Sequence, residues 1–201
     1  MTYNTPYRPE DLINLVDFPI HQNGPERDAL ISEVHAQLAA DGCAVLKRFL
    51  TERAITLLTE EADSVASCAH RSFNRTNPYL TVDDPLLDAA DPRRRFYDRS
   101  NAFIPADNFI TTGPLRVIQD FSAFDPFIQT CLQQKNFYRY ADPLADVIVN
   151  MAEEGEGFPW HFDTNNFTIT LAIQSADEGG LFEYAPNIRA EGENFPAVRA
   201  V

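Results

Sequence analysis

The sequence predicts an α+β fold in which helices come first along the chain and strands follow. Apolar residues recur at helical spacing in the N-terminal part of the chain. Near the C-terminal end, β-branched runs and alternating apolar residues are separated by glycine and proline turn signals, which is typical of strands. The 201 residues suit a single domain. We expect a helical half at about residues 1–136 and a β-rich half at about residues 137–201.

Two N-terminal helices are predicted from their caps and apolar stripes. The first covers about residues 25–41, because a proline opens it and Gly42 can end it in a left-handed conformation. A strand is predicted at residues 43–50, and Thr51 is placed to cap a second helix at about residues 52–67. The apolar stripes consist of Leu30, Ile31, Val34 and Leu38 in the first helix and of Ile55, Leu58, Ala62 and Val65 in the second.

Residues 70–113 are predicted to form a long loop, because they are rich in Asn, Asp, Pro and Arg and have little periodicity. Long loops of this kind often serve as functional lids. Within the loop, alternate residues of the segment RFYDRSN allow two interpretations, an exposed loop or one face of a lid strand that reaches a substrate carboxylate. These alternate residues are Arg95, Tyr97, Arg99 and Asn101.

The rest of the chain is predicted to form two short helices and three strands. The strands are indicated by a β-branched run, by alternation of apolar and polar residues, and by a short apolar segment after Gly179 and Gly180. The helices are expected at about residues 114–122 and 126–135, and the strands at Leu144–Met151, Phe167–Gln174 and Leu181–Tyr184.

The charge balance argues against nucleic acid and membrane partners. The formal net charge is −14, from 30 acidic and 16 basic residues, and such a surface repels phosphate backbones and anionic lipids. The N-terminal residues MTYNTPYRPE do not form a signal peptide, and no apolar run reaches the length of a membrane span. The three cysteines are widely spaced. We therefore expect a cytoplasmic protein with reduced thiols.

The segment FPWHFDTNNF, residues 158–167, contains the pattern most typical of a functional site. His161 and Asp163 are two residues apart, so an extended chain directs both side chains to one face. Trp160 and Phe162 then point the other way and can anchor the segment in the core. One histidine and one carboxylate, joined by a second histidine from elsewhere, form the facial arrangement that binds non-heme iron(II).

The stretches PWHFDTNNFTITLAIQ and GGLFEYAPNIR resemble the 2-oxoglutarate- and iron(II)-dependent dioxygenases. They are most similar to the subgroup that hydroxylates or halogenates free amino acids, and the resemblance covers about residues 137–189. It implies a double-stranded β-helix, or jelly-roll, core with helices packed on one face. It also implies that His161 and Asp163 are catalytic metal ligands, and that Fe(II), 2-oxoglutarate and dioxygen are required.

The resemblance further implies a reaction and a substrate class. Oxidative decarboxylation of 2-oxoglutarate to succinate would drive oxidation of an unactivated C–H bond in a free amino acid or a similar small molecule. Halogenases of the subgroup have Gly or Ala in place of the aspartate, so Asp163 implies a hydroxylase. Other enzyme interpretations stay open, namely a peptide hydroxylase or a lipid-CoA hydroxylase.

Four further residues are candidates for ligand binding. Asn150 either binds the 2-oxoglutarate carboxylates or bonds backbone at a strand end. Asn165 lies on the His161 side of a regular strand and could face the substrate. Glu183 either binds a cationic substrate group at the barrel mouth or faces outward, and Arg189 either reaches a carboxylate or lies on the surface.

The third metal ligand is not evident in the sequence. The resemblance implies a distal His and a distal Arg on later strands, yet no histidine follows Asp163. We therefore expect the jelly roll to be truncated at the C-terminus of this sequence. The alternatives are that His70 or His35 completes the site, or that the chain is a non-catalytic, cupin-like binding module or an inactive fragment.

Overall fold

Most helices occupy one part of the chain and a small antiparallel sheet occupies another, which confirms the α+β class. The computed structural model describes residues 6–186, 188 and 195–201. Two compact units are present, and each is described by itself. The helical unit consists of the described residues of Met1–Cys68 and Pro105–Ile148, and the sheet unit consists of those of Ala69–Ile104 and Val149–Val201.

The helical unit is built around a core of aliphatic and aromatic side chains. The described part of this unit contains α1 (Pro9–Leu12), α2 (Pro25–Asp41), α3 (Glu52–Val65), α4 (Pro114–Gln119) and α5 (Phe124–Cys131). Phe127, Leu12 and Ile118 are almost fully buried. Burial of such side chains stabilises each by about 1.5–3 kcal/mol relative to exposure. Within the unit, α1, α3 and α4 pack against one another, and α5 packs against α2.

The predicted boundaries of α2 and α3 are largely confirmed, because both helices have strong local capping. Gly42 ends α2 at φ 66°, in the left-handed region that glycine adopts without strain, and its N–H donates to the Leu38 carbonyl. Thr51 begins α3 by accepting a hydrogen bond of 3.0 Å from the Ala54 N–H. Both helices bury much of the predicted stripe, including Val34 and Leu58.

The predicted strand at residues 43–50 is wrong. Arg48 has φ 65°, and the Phe49 N–H donates to the Leu46 carbonyl, so the chain turns where a strand would continue. Only an isolated antiparallel bridge joins Leu50 to Ile13. The apolar residues of this segment therefore reflect core packing, in which Phe49 is buried against Phe18 with ring centroids 5.4 Å apart.

The start of α4 depends on a carboxylate from α3. The Leu115 N–H donates to Glu61 Oε2 over 3.0 Å, which satisfies a backbone group that the helix leaves without an internal partner. Gly113 leaves room for this carboxylate, since a Cβ there would lie 1.9 Å from Glu61 Oε1. Burial raises the pKa of the Glu61 carboxyl, while the Leu115 N–H and the nearby Arg116 oppose that shift.

The described part of the sheet unit contains three antiparallel strands in the order β1 (His70–Thr76), β2 (Tyr97–Ile104) and β3 (Val149–Met151). The predicted loop at residues 70–113 is therefore wrong, because β1 and β2 both lie entirely within it and pair with each other. The register pairs His70 with Phe103 and Thr76 with Tyr97. Both faces of β1 carry polar side chains, so its sequence lacks the apolar alternation that indicates a strand.

The other predicted strands are shorter than expected or absent. The segment Leu144–Met151 contributes only β3, because a turn closed by the Ala145 N–H on the Asp142 carbonyl is followed by a bend at residues 146–147. Residues 167–174 and 181–184 form no ladder in the described structure, so these two predictions are wrong. Alternating apolar residues favour a strand, but a strand also needs a neighbour with which to pair.

The sheet unit also contains α6 (Phe195–Ala200).

No helix in the described residues combines the length and the apolar character required to cross a bilayer. The longest of them, α2, contains several charged residues.

The pKa of Glu61 leads to a prediction about stability. A folded-state pKa above the ordinary value of 4.5 means that the folded protein binds the proton more tightly than the unfolded chain. This contribution to the free energy of unfolding is complete at low pH and is lost as pH rises through the folded pKa. We expect Glu61→Gln to flatten the decline of the free energy of unfolding as pH rises above the ordinary carboxyl pKa of 4.5, measured by urea unfolding at a series of pH values.

The control for this prediction is Glu60→Gln, which changes an exposed neighbour on the same helix. It should leave the pH dependence of unfolding as in the wild type. Equal pH slopes for wild type and Glu61→Gln would contradict the assignment.

Candidate functional site

One face of the sheet carries several of the predicted ligand-binding residues. Side chains that are directly paired across antiparallel strands share a face. His70, Phe103 and Asn150 therefore form one row across the three strands. Arg99 and Asn101 follow on the same face of β2 at intervals of two residues. We call this surface the polar face.

The interpretation of residues 97–101 as a strand is therefore correct, and the loop interpretation is wrong. Tyr97 is exposed at one end of this run, while Asn101 is buried in the middle of the sheet. Whether the run reaches a substrate carboxylate stays a prediction at this point.

The chain returns to β2 just before the His161 segment. The Gly157 N–H donates to the Ser100 carbonyl over 2.9 Å, which places Gly157 on the same edge of β2 as β3. A loop of residues 152–156 separates β3 from this contact. The loop is fastened on the opposite face of the sheet, where Arg71 forms ion pairs with Glu153 and Glu156.

Glu156 is the central residue of this fastening. It accepts hydrogen bonds from the Ser100 hydroxyl at 3.0 Å and from the Glu153 N–H at 3.0 Å. These two hydrogen bonds, with the nearby Arg71 guanidinium, lower the pKa of the Glu156 carboxyl. The contacts of residues 152–156, which we call the acidic loop, thus determine where the next residues leave the sheet.

Phe158 connects the polar face to His161. Its ring lies under the Arg99 guanidinium, with 5.4 Å between the guanidinium carbon and the ring centroid, a distance suited to a cation–π interaction. The same ring is 6.4 Å from the His161 ring, centroid to centroid. Phe158 therefore lies between Arg99 and His161.

The His161 ring is held in one orientation by a backbone carbonyl. His161 Nδ1 lies 2.8 Å from the Pro159 oxygen. A carbonyl oxygen can only accept a hydrogen bond, so Nδ1 carries the hydrogen. In the neutral ring, the lone pair is then on Nε2, which is the arrangement found in metal-binding histidines with an outer-shell carbonyl.

Asp163 faces this nitrogen. The distance from His161 Nε2 to Asp163 Oδ1 is 3.4 Å. The other carboxylate oxygen, Oδ2, accepts a hydrogen bond from the Thr168 hydroxyl. Thr168 in turn accepts one from the Asn165 amide over 3.1 Å. This chain of contacts fixes the carboxylate so that Oδ1 is the oxygen nearest the histidine.

Trp160 and Phe162 were predicted to anchor the segment on its other side. Phe162 does so, since its N–H donates to the Pro78 carbonyl over 2.8 Å and its ring contacts Tyr79. Trp160 does not, because 40% of it is exposed. The anchoring thus rests on Phe162.

The remaining predicted residues lie at different places. Asn150 is exposed on β3, on the polar face beside Phe103. Asn165 contacts Thr168, and its predicted role toward substrate stays a prediction. Glu183 is exposed on a segment without strand structure and has no hydrogen bond or ion pair to any described residue. Arg189 lies outside the described residues.

No third metal ligand joins His161 and Asp163 among the described residues, where groups of three or more His, Cys, Asp or Glu with metal-binding geometry are absent. His70 lies beside Phe103, with ring centroids 5.1 Å apart, at the far end of β2 from Arg99. The His35 ring contacts the Thr130 carbonyl over 3.1 Å. The alternatives that His70 or His35 completes the site thus gain no support.

Comparisons with protein-family models, with curated proteins and with solved structures give no match for this chain.

The fastening of the acidic loop can be tested through hydrogen exchange. We expect Glu156→Ala to accelerate amide exchange at Gly157 roughly 2- to 5-fold, because loss of the Arg71 ion pair and the Ser100 hydrogen bond makes local opening of this contact more frequent. The measurement is residue-resolved hydrogen exchange by NMR. Glu154→Ala is the matched control in the same loop and should leave this rate unchanged. Equal rates in the two variants would contradict the role of Glu156.

Proposed function

We propose that this protein is a 2-oxoglutarate- and Fe(II)-dependent oxygenase that hydroxylates an unactivated C–H bond of a free amino acid or a similar small molecule. The proposed core is a double-stranded β-helix to which the described sheet contributes. One observation supports the proposal most directly. His161 Nε2 and Asp163 Oδ1 lie 3.4 Å apart. The other polar atoms of the two side chains are hydrogen-bonded, His161 Nδ1 to the Pro159 carbonyl and Asp163 Oδ2 to the Thr168 hydroxyl.

The pair fits two adjacent ligands of one metal ion. With metal–ligand bonds of about 2.1 Å, neighbouring ligands of an octahedral ion lie roughly 3 Å apart. The observed distance is close to this value. A neutral imidazole and a carboxylate also present two lone pairs toward each other, which is favourable only with a shared cation or proton between them. One imidazole with one carboxylate is a donor set that suits non-heme iron(II).

The charges of the two side chains determine what else such a site attracts. Asp163 contributes one negative charge and the neutral His161 contributes none, so a divalent cation held by them keeps a net positive charge. This favours a dianionic cosubstrate such as 2-oxoglutarate. When bound, iron(II) and 2-oxoglutarate supply the oxidising chemistry. The protein residues hold and orient the groups, and Asn150 on the polar face is the proposed partner of a 2-oxoglutarate carboxylate.

A second candidate function is a non-catalytic, cupin-like binding module. It is favoured by the count of ligands, since the described residues bring only two protein ligands together and the proposed iron site needs a second histidine. The two candidates differ in metal dependence. A binding module would retain its small ligand without iron and would release no succinate.

Metal binding tests the assignment of His161 and Asp163. We expect the chain to bind Fe(II) under anaerobic conditions with added free imidazole, which substitutes for the third ligand that the described residues do not bring to the pair. His161→Ala and Asp163→Ala should each abolish this binding. Thr168→Val removes only an outer partner, and such losses weaken metal affinity about 10- to 100-fold. The measurement is an Fe(II) titration followed by calorimetry.

The matched control for this titration is His21→Ala, which removes an exposed histidine of the helical unit. It should bind iron like the wild type. Stoichiometric iron in His161→Ala would rule out the ligand assignment.

Asp163 also predicts the outcome of oxidation in the presence of chloride. The carboxylate occupies the position at which the halogenases of the resembled subgroup leave room for halide. We expect succinate release coupled to a hydroxylated product and no chlorinated product, measured by mass spectrometry across a panel of free amino acids. A chlorinated product would contradict the hydroxylase proposal. Turnover of peptides or acyl thioesters alone would contradict the substrate class.

A further inference from the structure

The turn before α2 contains the only asparagine of the chain that is followed by glycine, Asn23 with Gly24. An asparagine side chain can react with the backbone nitrogen of the next residue, and a Cβ on that residue hinders the approach. Gly24 has no Cβ, so its nitrogen can reach the side-chain carbonyl carbon of Asn23 without this obstacle. The pair is therefore chemically reactive wherever the fold leaves both groups free.

Both reacting groups of this pair are free of hydrogen bonds in the described structure. Asn23 is exposed, and its side chain bonds to no described residue. The Gly24 N–H likewise has no acceptor within the described part of the chain. The two residues also line an open surface groove beside Val16, so water has access to them. No hydrogen bond has to break before the nitrogen approaches the carbonyl carbon.

The other end of α2 gives an internal comparison. Asp41 is also followed by a glycine, and an aspartate in this position can form the same kind of ring. There, however, the Gly42 N–H donates to the Leu38 carbonyl over 2.9 Å. The nitrogen can attack only after it has lost this hydrogen bond, which costs free energy. The two ends of α2 thus differ in the state of the nitrogen that has to attack.

We propose that Asn23 is a site of spontaneous deamidation, in which water is the co-reactant and ammonia is the leaving group. The Gly24 nitrogen loses its proton and bonds to the side-chain carbonyl carbon of Asn23. The bond from that carbon to the side-chain nitrogen breaks and releases ammonia, which leaves a five-membered succinimide ring. Water then cleaves the ring at either carbonyl, so the product is aspartate or isoaspartate. No oxidation or reduction is involved.

The reaction changes the charge and the backbone where the chain enters α2. Either product adds one negative charge beside the N-terminus of the helix, where such a charge is favourable. Isoaspartate also lengthens the main chain by one carbon atom just before Gly24. The Gly24 carbonyl accepts the first hydrogen bond of α2 from the Asp28 N–H over 3.0 Å. Aspartate therefore keeps the path of the chain into α2, whereas isoaspartate alters it.

The experiment follows the purified full chain during storage at mildly alkaline pH, by peptide mapping with mass spectrometry. We expect conversion at Asn23 well before any conversion at Asn74, an exposed asparagine of β1 that is followed by Arg75. The rate should rise with pH, because the attacking nitrogen must lose its proton. Asn23→Gln is the matched control variant, since glutamine would have to form a larger ring, and its residue 23 should stay unmodified.

A variant at the other end of α2 separates the contribution of the fold from that of the sequence. Asp41→Asn creates a second asparagine–glycine pair at an exposed position where the Gly42 N–H is hydrogen-bonded. In the folded chain we expect position 41 to react roughly 2- to 10-fold more slowly than Asn23, the factor that corresponds to the net free energy of one hydrogen bond. In concentrated urea, where α2 is unfolded, the two rates should become equal.

Three results would overturn the inference. The first is an unmodified Asn23 in the folded chain after a time in which the urea-unfolded chain has been converted. The second is conversion of Asn74 as fast as that of Asn23. The third is an equal rate at both ends of α2 in folded Asp41→Asn. The first two comparisons use the wild type, so they remain valid if the variant fails to fold. This inference goes beyond the proposed function, and none of these measurements depends on iron.

Discussion

The central position of β2 determines where Arg99, Asn101 and Asn150 lie and where the chain enters the His161 segment. One edge of β2 pairs with β1, and the other edge pairs first with β3 and then with Gly157. Because successive side chains alternate between faces, a shift of the register by one residue would move Arg99 and Asn101 to the opposite face. The ion pairs of Arg71 to the acidic loop oppose such a shift, since they connect β1 to the residues just before Gly157.

The His161 segment depends on this sheet but makes no ladder of its own beyond Gly157. Its order comes from short local contacts, with Pro159 behind the imidazole and Thr168 behind the carboxylate. Phe162 ties the segment to the Pro78 carbonyl. Local contacts of this kind fix side-chain direction well, whereas they bury little apolar surface. The arrangement therefore specifies the orientation of two ligands more strongly than it stabilises the fold.

The sequence predicted what local chemistry determines and missed what distant pairing determines. Gly42 and Thr51 mark the end of α2 and the start of α3 because caps act on neighbouring backbone groups. The hairpin of β1 and β2 was missed, since polar residues on both faces hide its period. His161, Asp163 and the alternation of Arg99 with Asn101 were visible in the sequence. The roles of Phe158, Thr168 and the Pro159 carbonyl were not, because they follow from how the chain bends after Gly157.

Charge limits what the proposed metal pair can attract. In the sheet unit, Arg71, Arg75, Arg93 and Arg94 each pair with a described carboxylate, so these guanidinium groups are already neutralised locally. A chain of net charge −14 repels anions at long range. An anionic cosubstrate of the proposed oxygenase would therefore need a local positive charge, and a divalent metal ion held by His161 and Asp163 would supply it. The long-range field of the protein and the short-range field of the proposed site thus have opposite signs, and anion binding there would depend on the metal.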